Sequence, residues 1–302
     1  MDVKKEKISI LCSDGVSLSG VLFIPDKIHA LVQFNGGTAV RKEFYQPFLE
    51  YISSQGYLCC LWDYRGSGDS APSSLKECTF RFSDYGIKDM PAVKDYLRKR
   101  FPELPFYIIA HSVGGQQLGF MSDLKDVKGL IGFSVSTGHY AFMPLKYRLQ
   151  CYYFFHLFAP LSTALTGYVA SKRFGYMEDL PRNVVKEWGQ WCRYPEYLFH
   201  ESFKGKSVPH GTFKDFTFPC HYFWASDDPI ATVKSVSMFR QHIQSTGTVV
   251  MQEIQPQAYQ VKEIGHMGFF KRQFRNTIWK EALYKLNEFS GMNNSLNHTS
   301  NE

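Results

Sequence analysis

A short apolar segment, Phe106 to Ile109, runs directly into the pentapeptide Ala110-His111-Ser112-Val113-Gly114. The apolar run predicts a buried β-strand, and the small residues two positions before and after the serine favour a sharp turn into a helix. A serine at such a turn stands clear of the sheet, where a base can reach its hydroxyl and a carbonyl compound can approach it. The segment therefore predicts that Ser112 is a nucleophile at the end of a central strand.

Two further polar groups follow Ser112 in the order that such a nucleophile requires. A serine hydroxyl is a weak nucleophile until a histidine takes its proton, and a carboxylate has to orient that histidine. His221 to Ala225 is an apolar run typical of a buried strand, and two adjacent aspartates follow it. Near the C-terminus, Gly265-His266-Met267-Gly268 is a histidine loop between two glycines. His266 is therefore the candidate base.

These segments, taken together, resemble the α/β hydrolase superfamily along almost the whole chain. In that superfamily the acid lies in a G-x-x-D-x-[IV] turn, which residues 225–230 resemble, with Ala225 at the Gly position and Asp228 at the acid position. The resemblance implies a catalytic triad of Ser112, His266 and Asp228. It leaves Asp227 as a solvated turn or helix-cap carboxylate.

The resemblance also implies the fold class, which is an α/β hydrolase fold with a mostly parallel central sheet, flanking helices and an inserted helical cap. Predicted strands alternate with amphipathic helices, which is typical of βαβ units. The strands are predicted near residues 8–12, 16–24, 31–34, 58–62, 106–110, 128–134, 220–225 and 249–264. Helices are predicted near residues 44–55, 87–99, 114–122, 231–244 and 274–289.

The predicted strand Leu31 to Phe34 ends in Asn35-Gly36-Gly37-Thr38. Glycines let the backbone approach a developing oxyanion closely, so the N–H groups of Gly37 and Val113 are the predicted oxyanion hole, each contributing roughly 3 kcal/mol. A plain strand-to-helix turn would use the two glycines equally well. His111, beside the nucleophile, is interpreted as a packing residue.

The predicted organisation is a hydrolase core over residues 1–135 and 218–290 that is interrupted by a helical cap at 136–217. Residues 139–199 contain 16 aromatic side chains in 61 positions, more apolar surface than a connector requires. Residues 291–302, rich in Asn and Ser, are predicted to be a disordered tail.

One cap helix is predicted to begin near Asp179 and Pro181. It would bury one face, Val184, Val185, Trp188, Trp191 and Cys192. That face is interpreted as packing of the cap on the core in preference to substrate contact. The candidate lining of the substrate pocket is His139, Tyr140, Phe154, Phe155, Trp188 and Met267.

The run from Leu149 to Ser171 carries no formal charge and is long enough to cross a bilayer. A single crossing would separate Ser112, which precedes the run, from Asp228 and His266, which follow it. No transmembrane span is therefore predicted, and the run is interpreted as a lid over an apolar pocket.

Composition narrows the classes of protein further. The 302 residues are 44% hydrophobic and 21% charged, which is typical of a globular protein with a large core. A net charge of +6 with scattered Lys and Arg predicts no nucleic-acid partner, although weak contact with an anionic membrane surface stays open. The N-terminus lacks the apolar stretch of a signal peptide, and seven cysteines without C-x-x-C argue against a disulfide framework or a zinc site. We expect a cytoplasmic protein without a metal or an organic cofactor.

The function that the resemblance implies is that of a serine hydrolase, a carboxylesterase or thioesterase that forms an acyl-enzyme with a small-to-medium apolar acyl substrate. An acyltransferase or a C–C bond hydrolase would use the same triad, and both stay open, as does a catalytically inactive ligand-binding member of the fold. The cap string around Glu187 to Phe199 and the final Gly265 to Phe270 are similar to a bacterial family of predicted α/β hydrolases of unassigned substrate. The sequence predicts no oligomeric state.

Overall fold

The computed structural model describes residues 3–175, 177–210, 213–214 and 216–291. Eight strands form one sheet in the order β1-β2-β4-β3-β5-β6-β9-β10. In chain order these strands are β1 Val3–Leu11, β2 Ser17–Pro25, β3 Ala30–Asn35, β4 Tyr57–Trp62, β5 Phe106–His111, β6 Val127–Phe133, β9 Cys220–Ala225 and β10 Val249–Ile254. Two short strands between β6 and β9, β7 Tyr168–Val169 and β8 Leu180–Pro181, form a separate antiparallel pair.

The sheet is antiparallel at one edge and parallel over the rest. β1 pairs antiparallel with β2, and β2 with β4, whereas all other neighbouring strands run parallel. Every residue of β3, β4, β5 and β9 is buried. Burial on both faces explains why these strands read as continuous apolar runs in the sequence.

Helices cover both faces of the sheet. The α-helices are α1 Gln46–Ser53, α2 Met90–Arg100, α3 Val113–Gln116, α4 Leu145–Tyr153, α5 Ala159–Thr166, α6 Arg182–Trp191, α7 Val233–His242 and α8 Ile278–Phe289. α1 and α8 contribute to the hydrophobic cluster on one face, and α2, α6 and α7 contribute to the cluster on the other. This is the predicted fold class, an α/β sheet with helices on both sides.

Residues 136–217 form the segment between β6 and β9. α4 and α5 are joined by a π-helical turn, Phe154–Phe158, and we call the continuous helical segment 145–166 the cap helix. α6 begins directly after Pro181, close to the predicted start. Its Trp188 and Trp191 rings pack against Phe82, with centroids 5.6 and 5.2 Å apart. These contacts agree with the interpretation of this helix face as packing.

Two predicted elements are shorter in the structure. β10 ends at Ile254, and a 3-10 turn at Pro256–Tyr259 occupies part of the segment predicted as strand up to residue 264. The helix predicted over 114–122 consists of α3 and a separate 3-10 turn, Leu118–Phe120. Apart from Gly291, the predicted disordered tail lies outside the described residues. Among helices in the described ranges, none has the length and apolar character needed to cross a bilayer.

Candidate active site

Ser112 lies between β5 and α3 in a strained backbone conformation. Its φ and ψ angles are 50° and −115°, values that cost a non-glycine residue on the order of 1–3 kcal/mol. The Ser112 N–H donates to the Phe133 carbonyl at 3.0 Å, which ties the turn to β6. A Cβ atom at Gly114 would lie 2.2 Å from the Asn35 carbonyl oxygen. The glycine of the pentapeptide is therefore required by close packing against the end of β3.

The structure brings the three predicted triad residues together. His266 Nε2 lies 3.0 Å from Ser112 Oγ, and His266 Nδ1 lies 2.8 Å from Asp228 Oδ2. The other carboxylate oxygen, Asp228 Oδ1, accepts hydrogen bonds from the N–H groups of Ile230 and Ala231 at 2.8 and 2.9 Å. Both oxygens of this carboxylate therefore have partners.

Electrostatics favour the ionised form of Asp228. Burial of the carboxyl by itself raises its pKa, but the charge and hydrogen bond of His266 and the two backbone N–H groups hold the pKa below its ordinary value. A carboxylate accepts the Nδ1 proton of His266 and leaves Nε2 unprotonated. Nε2 can then accept the hydroxyl proton of Ser112, as a general base must.

Asp227 has a role that the sequence did not indicate. It is exposed, as a solvated turn carboxylate should be, but its oxygens also accept hydrogen bonds from the Ile264 and Gly265 N–H groups at 2.9 and 3.0 Å. Those two residues directly precede His266. The interpretation of Asp227 as only a solvated or helix-capping residue is corrected, because its carboxylate fixes the backbone of the histidine loop.

His111 is also more than a packing residue. Its Nδ1 lies 2.8 Å from Tyr45 Oη, and its Nε2 lies 3.0 Å from the carbonyl oxygen of His266. Burial, followed by the nearby charge of His266, lowers the pKa of His111 to about 3. The imidazole is therefore neutral and has one proton to donate.

The groups at the two ends of this hydrogen-bond network determine where its protons lie. The Gly37 N–H donates to Tyr45 Oη at 2.8 Å, so the tyrosine proton points to His111 Nδ1. The His111 proton then sits on Nε2, where it meets the His266 carbonyl, which can only accept. A continuous chain of hydrogen bonds thus joins the Gly37 loop to the backbone of the candidate base.

The same chain corrects the prediction for Gly37. Its N–H is already bonded to Tyr45, so it is not a free donor in this geometry. Val113 is the first residue of α3, where a backbone N–H has no partner within its helix. Among the described residues nothing accepts from the Val113 N–H. Val113 is therefore placed as the prediction requires, whereas Gly37 could serve only after releasing Tyr45.

The candidate pocket residues lie around the cap, and the structure gives several of them packing roles. His139 Nδ1 is 2.9 Å from the Cys192 carbonyl, and the His139 ring stacks on Tyr140. Phe154 and Phe155 pack on Trp188, with ring centroids 6.3 and 5.1 Å away. In the described part of the chain, no hydrogen bond or ring contact joins these side chains to Ser112 or His266.

Met267 is partly buried next to His266 in the chain, which leaves it the pocket candidate nearest to the base in sequence. Tyr147, from the cap helix, was not among the candidates. Burial raises its pKa to about 12, and the charge of Asp228 adds to that shift. No sequence motif marks Tyr147.

Comparisons with known proteins bear on this geometry. The family described as serine aminopeptidase, S33, matches residues 26–147, which include β3, β5 and the Ser112 turn. A search of curated proteins returned no match.

Several solved structures resemble the chain. An esterase of Pyrococcus furiosus is 18% identical with a TM-score of 0.57, over 96% of this chain and 92% of its own. A thermostable carboxyl esterase of Bacillus coagulans, in complex with glycerol, is 14% identical with a TM-score of 0.61, over 94% and 98%. The acylaminoacyl peptidase of Pyrococcus horikoshii is 14% identical with a TM-score of 0.56, over 100% of this chain and 44% of its own.

At these identities the structural likenesses show a shared fold. The chain therefore has the fold of the α/β hydrolases. The family match is confined to residues 26–147.

Proposed function

We propose that the protein is a carboxylesterase or thioesterase that uses Ser112, His266 and Asp228 as a catalytic triad. The observation that carries the proposal is the pair of contacts made by His266, 3.0 Å to Ser112 Oγ on one side and 2.8 Å to Asp228 Oδ2 on the other. The esterases among the structural neighbours support the reaction type.

The mechanism begins with attack of Ser112 Oγ on the carbonyl carbon of the ester while His266 Nε2 takes the hydroxyl proton. Asp228 stabilises the imidazolium that forms. The tetrahedral intermediate collapses, His266 gives the proton to the departing alkoxide or thiolate, and an acyl-enzyme remains on Ser112. A water molecule activated by His266 then attacks the acyl carbon, and collapse of the second intermediate releases the acid and restores Ser112.

The developing oxyanion needs backbone donors, and the Val113 N–H is the first. We infer that Gly37 supplies the second donor when the substrate oxygen displaces Tyr45 Oη from its N–H. Each such donor contributes roughly 3 kcal/mol to the transition state.

The proposed substrate has a small-to-medium apolar acyl chain. The cap supports this choice, because its helix carries Tyr147, Phe154 and Phe155 on the side packed against the core cluster.

The proposed compartment is the cytoplasm. All seven cysteines are free thiols in the structure, and five of them are buried. Buried unpaired thiols suit a reducing environment, where they behave as small apolar side chains.

The test combines labelling with turnover. A fluorophosphonate probe should label the purified protein, and the Ser112→Ala variant should take up no label. Ser226→Ala is the matched control, because that exposed serine lies on the aspartate turn outside the triad. A panel of esters, thioesters and aminoacyl anilides then fixes the leaving group. Full labelling of Ser112→Ala would contradict the proposal, and turnover confined to anilides would make the protein a peptidase.

A further inference from the structure

The cap helix presents an apolar face to solvent. Large side chains occur at every fourth position from 145 to 165, and all six are exposed by 47% to 85%. They are Leu145, Leu149, Tyr153, Leu157, Leu161 and Leu165. We call them the outer stripe. A four-residue spacing places such side chains along one side of a helix.

The opposite side of the same helix is apolar too, and it is already used. Tyr147, Cys151, Phe154 and Phe155 pack against the main core cluster, and Phe158 is buried within it. The outer stripe is therefore surplus to the packing of the cap. A helix that is apolar on every side is normally buried or in contact with a membrane, and an exposed patch of this kind marks an interaction surface.

Charges near the outer stripe have a single sign along the chain. No Asp or Glu occurs between Asp126 and Glu178. Lys146 lies at the start of the cap helix, and Lys172 and Arg173 follow its end, all three exposed. Lys172 is paired with Glu178 at 3.3 Å, whereas Lys146 and Arg173 have no ion pair among the described residues. Phe174, 58% exposed, packs on Phe158 with ring centroids 5.3 Å apart and extends the apolar surface toward these cations.

This charge pattern decides between two occupants. In a symmetric dimer the same face meets itself, so the cations of two copies would meet with no acid from the segment to pair them. An anionic phospholipid surface offers an apolar acyl region to the leucines and negative charge to the Lys and Arg side chains. Leucine and tyrosine on one face with Lys and Arg at its edges is the pattern of helices that lie in the membrane interface.

The structure allows the cap helix to lie along a membrane surface but not to cross a bilayer. Its 22 residues span about 33 Å, and its other face packs against the core cluster from Tyr147 to Ala159. We propose that the outer stripe, flanked by Lys146 and Arg173, docks this protein on the surface of a membrane that contains anionic phospholipid. Docking does not depend on the proposed esterase activity, and it would bring apolar acyl compounds dissolved in the bilayer close to the cap.

The experiment is vesicle co-sedimentation of the full chain. One set of vesicles is phosphatidylcholine alone, and the other contains about 30% phosphatidylglycerol. We expect binding to the anionic vesicles, much weaker binding to the neutral ones, and a decline as salt is raised. Leu157→Glu with Leu161→Glu should weaken binding to anionic vesicles at least about tenfold, because carboxylates replace leucines that enter the interface. Lys146→Gln with Arg173→Gln should weaken it about 25-fold, roughly fivefold for each cation removed.

The matched control is Leu11→Glu with Tyr284→Glu. Leu11 and Tyr284 are 72% and 48% exposed and lie outside the cap. Replacing both by Glu changes the net charge by the same amount as the double leucine variant does. The control should bind like the parent once the small effect of net charge is subtracted. Fluorophosphonate labelling and circular dichroism establish whether each variant is folded. If the double leucine variant does not fold, Lys146→Gln with Arg173→Gln still tests the proposal independently. Equal loss in the control, or no binding of the parent to anionic vesicles, would overturn the proposal. Self-association that disappears in Leu157→Glu with Leu161→Glu, without vesicle binding, would assign the face to a second copy instead.

Discussion

The Ser112 turn and the cap helix are the two most contrasting regions of the molecule. Around Ser112, β5 and α3 are buried at every position, and added atoms would collide with backbone, as at Gly114. Along α4 no residue is buried, and the outer stripe faces solvent. The proposed nucleophile thus lies where neighbouring strands fix each atom, and the surface proposed to contact a membrane lies where few contacts constrain the sequence.

The largest expected effect on turnover in the Ser112 region comes from removing the proposed nucleophile. Ser112→Ala should lower kcat by on the order of 10⁴-fold or more, because triad residues act as a unit. For the same reason, Ser112→Ala combined with Asp228→Asn and His266→Ala should be no slower than Ser112→Ala alone. Steady-state ester hydrolysis measures both. A further large loss in the combined variant would mean that the three residues act separately.

The two adjacent aspartates after β9 should differ in how much their substitution lowers kcat. Asp228→Asn should lose roughly 10³-fold to 10⁴-fold in kcat, because the amide cannot hold the required tautomer of His266. Asp227→Asn should lose about tenfold, since it weakens two charge-assisted hydrogen bonds to the backbone before His266 without touching the imidazole. Measuring kcat for both variants on one ester checks the ranking. The reverse order would assign the orienting role to Asp227.

The strands and the proximity of Ser112, Asp228 and His266 could be predicted because their signals are local. Ser112 directly follows β5, and Asp228 lies three residues after the end of β9, at the edge where parallel strands expose polar residues. The helix after Ser112 was predicted too long, although Gly114, Gly115 and Gly119 disfavour a continuous helix around its break after Gln116. β10 was also predicted too long, although Pro256 follows its end closely.

The Tyr45 and His111 network could not be predicted, because it joins three distant segments. Tyr45 precedes α1, His111 ends β5, and the accepting carbonyl belongs to His266. Only the position of His111 beside the nucleophile is a signal, and it does not specify partners. The exposure of the outer stripe could not be predicted either, because its leucines alternate in the sequence with the aromatic side chains and Cys151 that pack inward.

Buried His111 leads to a prediction about pH. Its pKa falls from about 6.5 in an unfolded chain to about 3 in the folded protein, so below pH 6.5 the unfolded state binds a proton that the folded state does not. Stability contributed by neutral His111 is therefore complete above about pH 6.5 and declines as pH falls toward 3, by up to about 1.4 kcal/mol per pH unit. His111→Gln should remove that part of the slope.

Urea unfolding at intervals between pH 7 and 4.5 measures the slope. His221→Gln is the control, because His221 is also buried and also has a lowered pKa but lies outside the network. Its variant should lose a smaller part of the slope. An unchanged slope in His111→Gln would mean that His111 is protonated in the folded protein.

The cap should affect which acyl chain is preferred more than how fast the chemistry runs. If its packed side lines the acyl site, kcat/KM should rise about fourfold for each added methylene until the site is full. Tyr147→Phe keeps the ring and should leave the preferred length unchanged, whereas Phe154→Ala or Phe155→Ala should move it. Acetate, butyrate, hexanoate and octanoate esters of one alcohol test this. A flat profile in the parent and the variants would remove the apolar-acyl proposal and leave the triad untouched.

The smallest expected effect concerns stability at the outer stripe. Leu157 is 51% exposed and Leu165 is 85% exposed, so replacing either by Gln should change the free energy of unfolding by less than about 0.5 kcal/mol. Leu49 of α1 is fully buried, and Leu49→Ala should cost about 2–5 kcal/mol through the cavity it leaves. Urea titrations of the three variants without lipid measure the contrast. A loss of more than about 1 kcal/mol in the free energy of unfolding at Leu157 or Leu165 would show that the outer stripe is covered in the free protein. The contrast between a constrained core and an exposed cap surface would then be wrong.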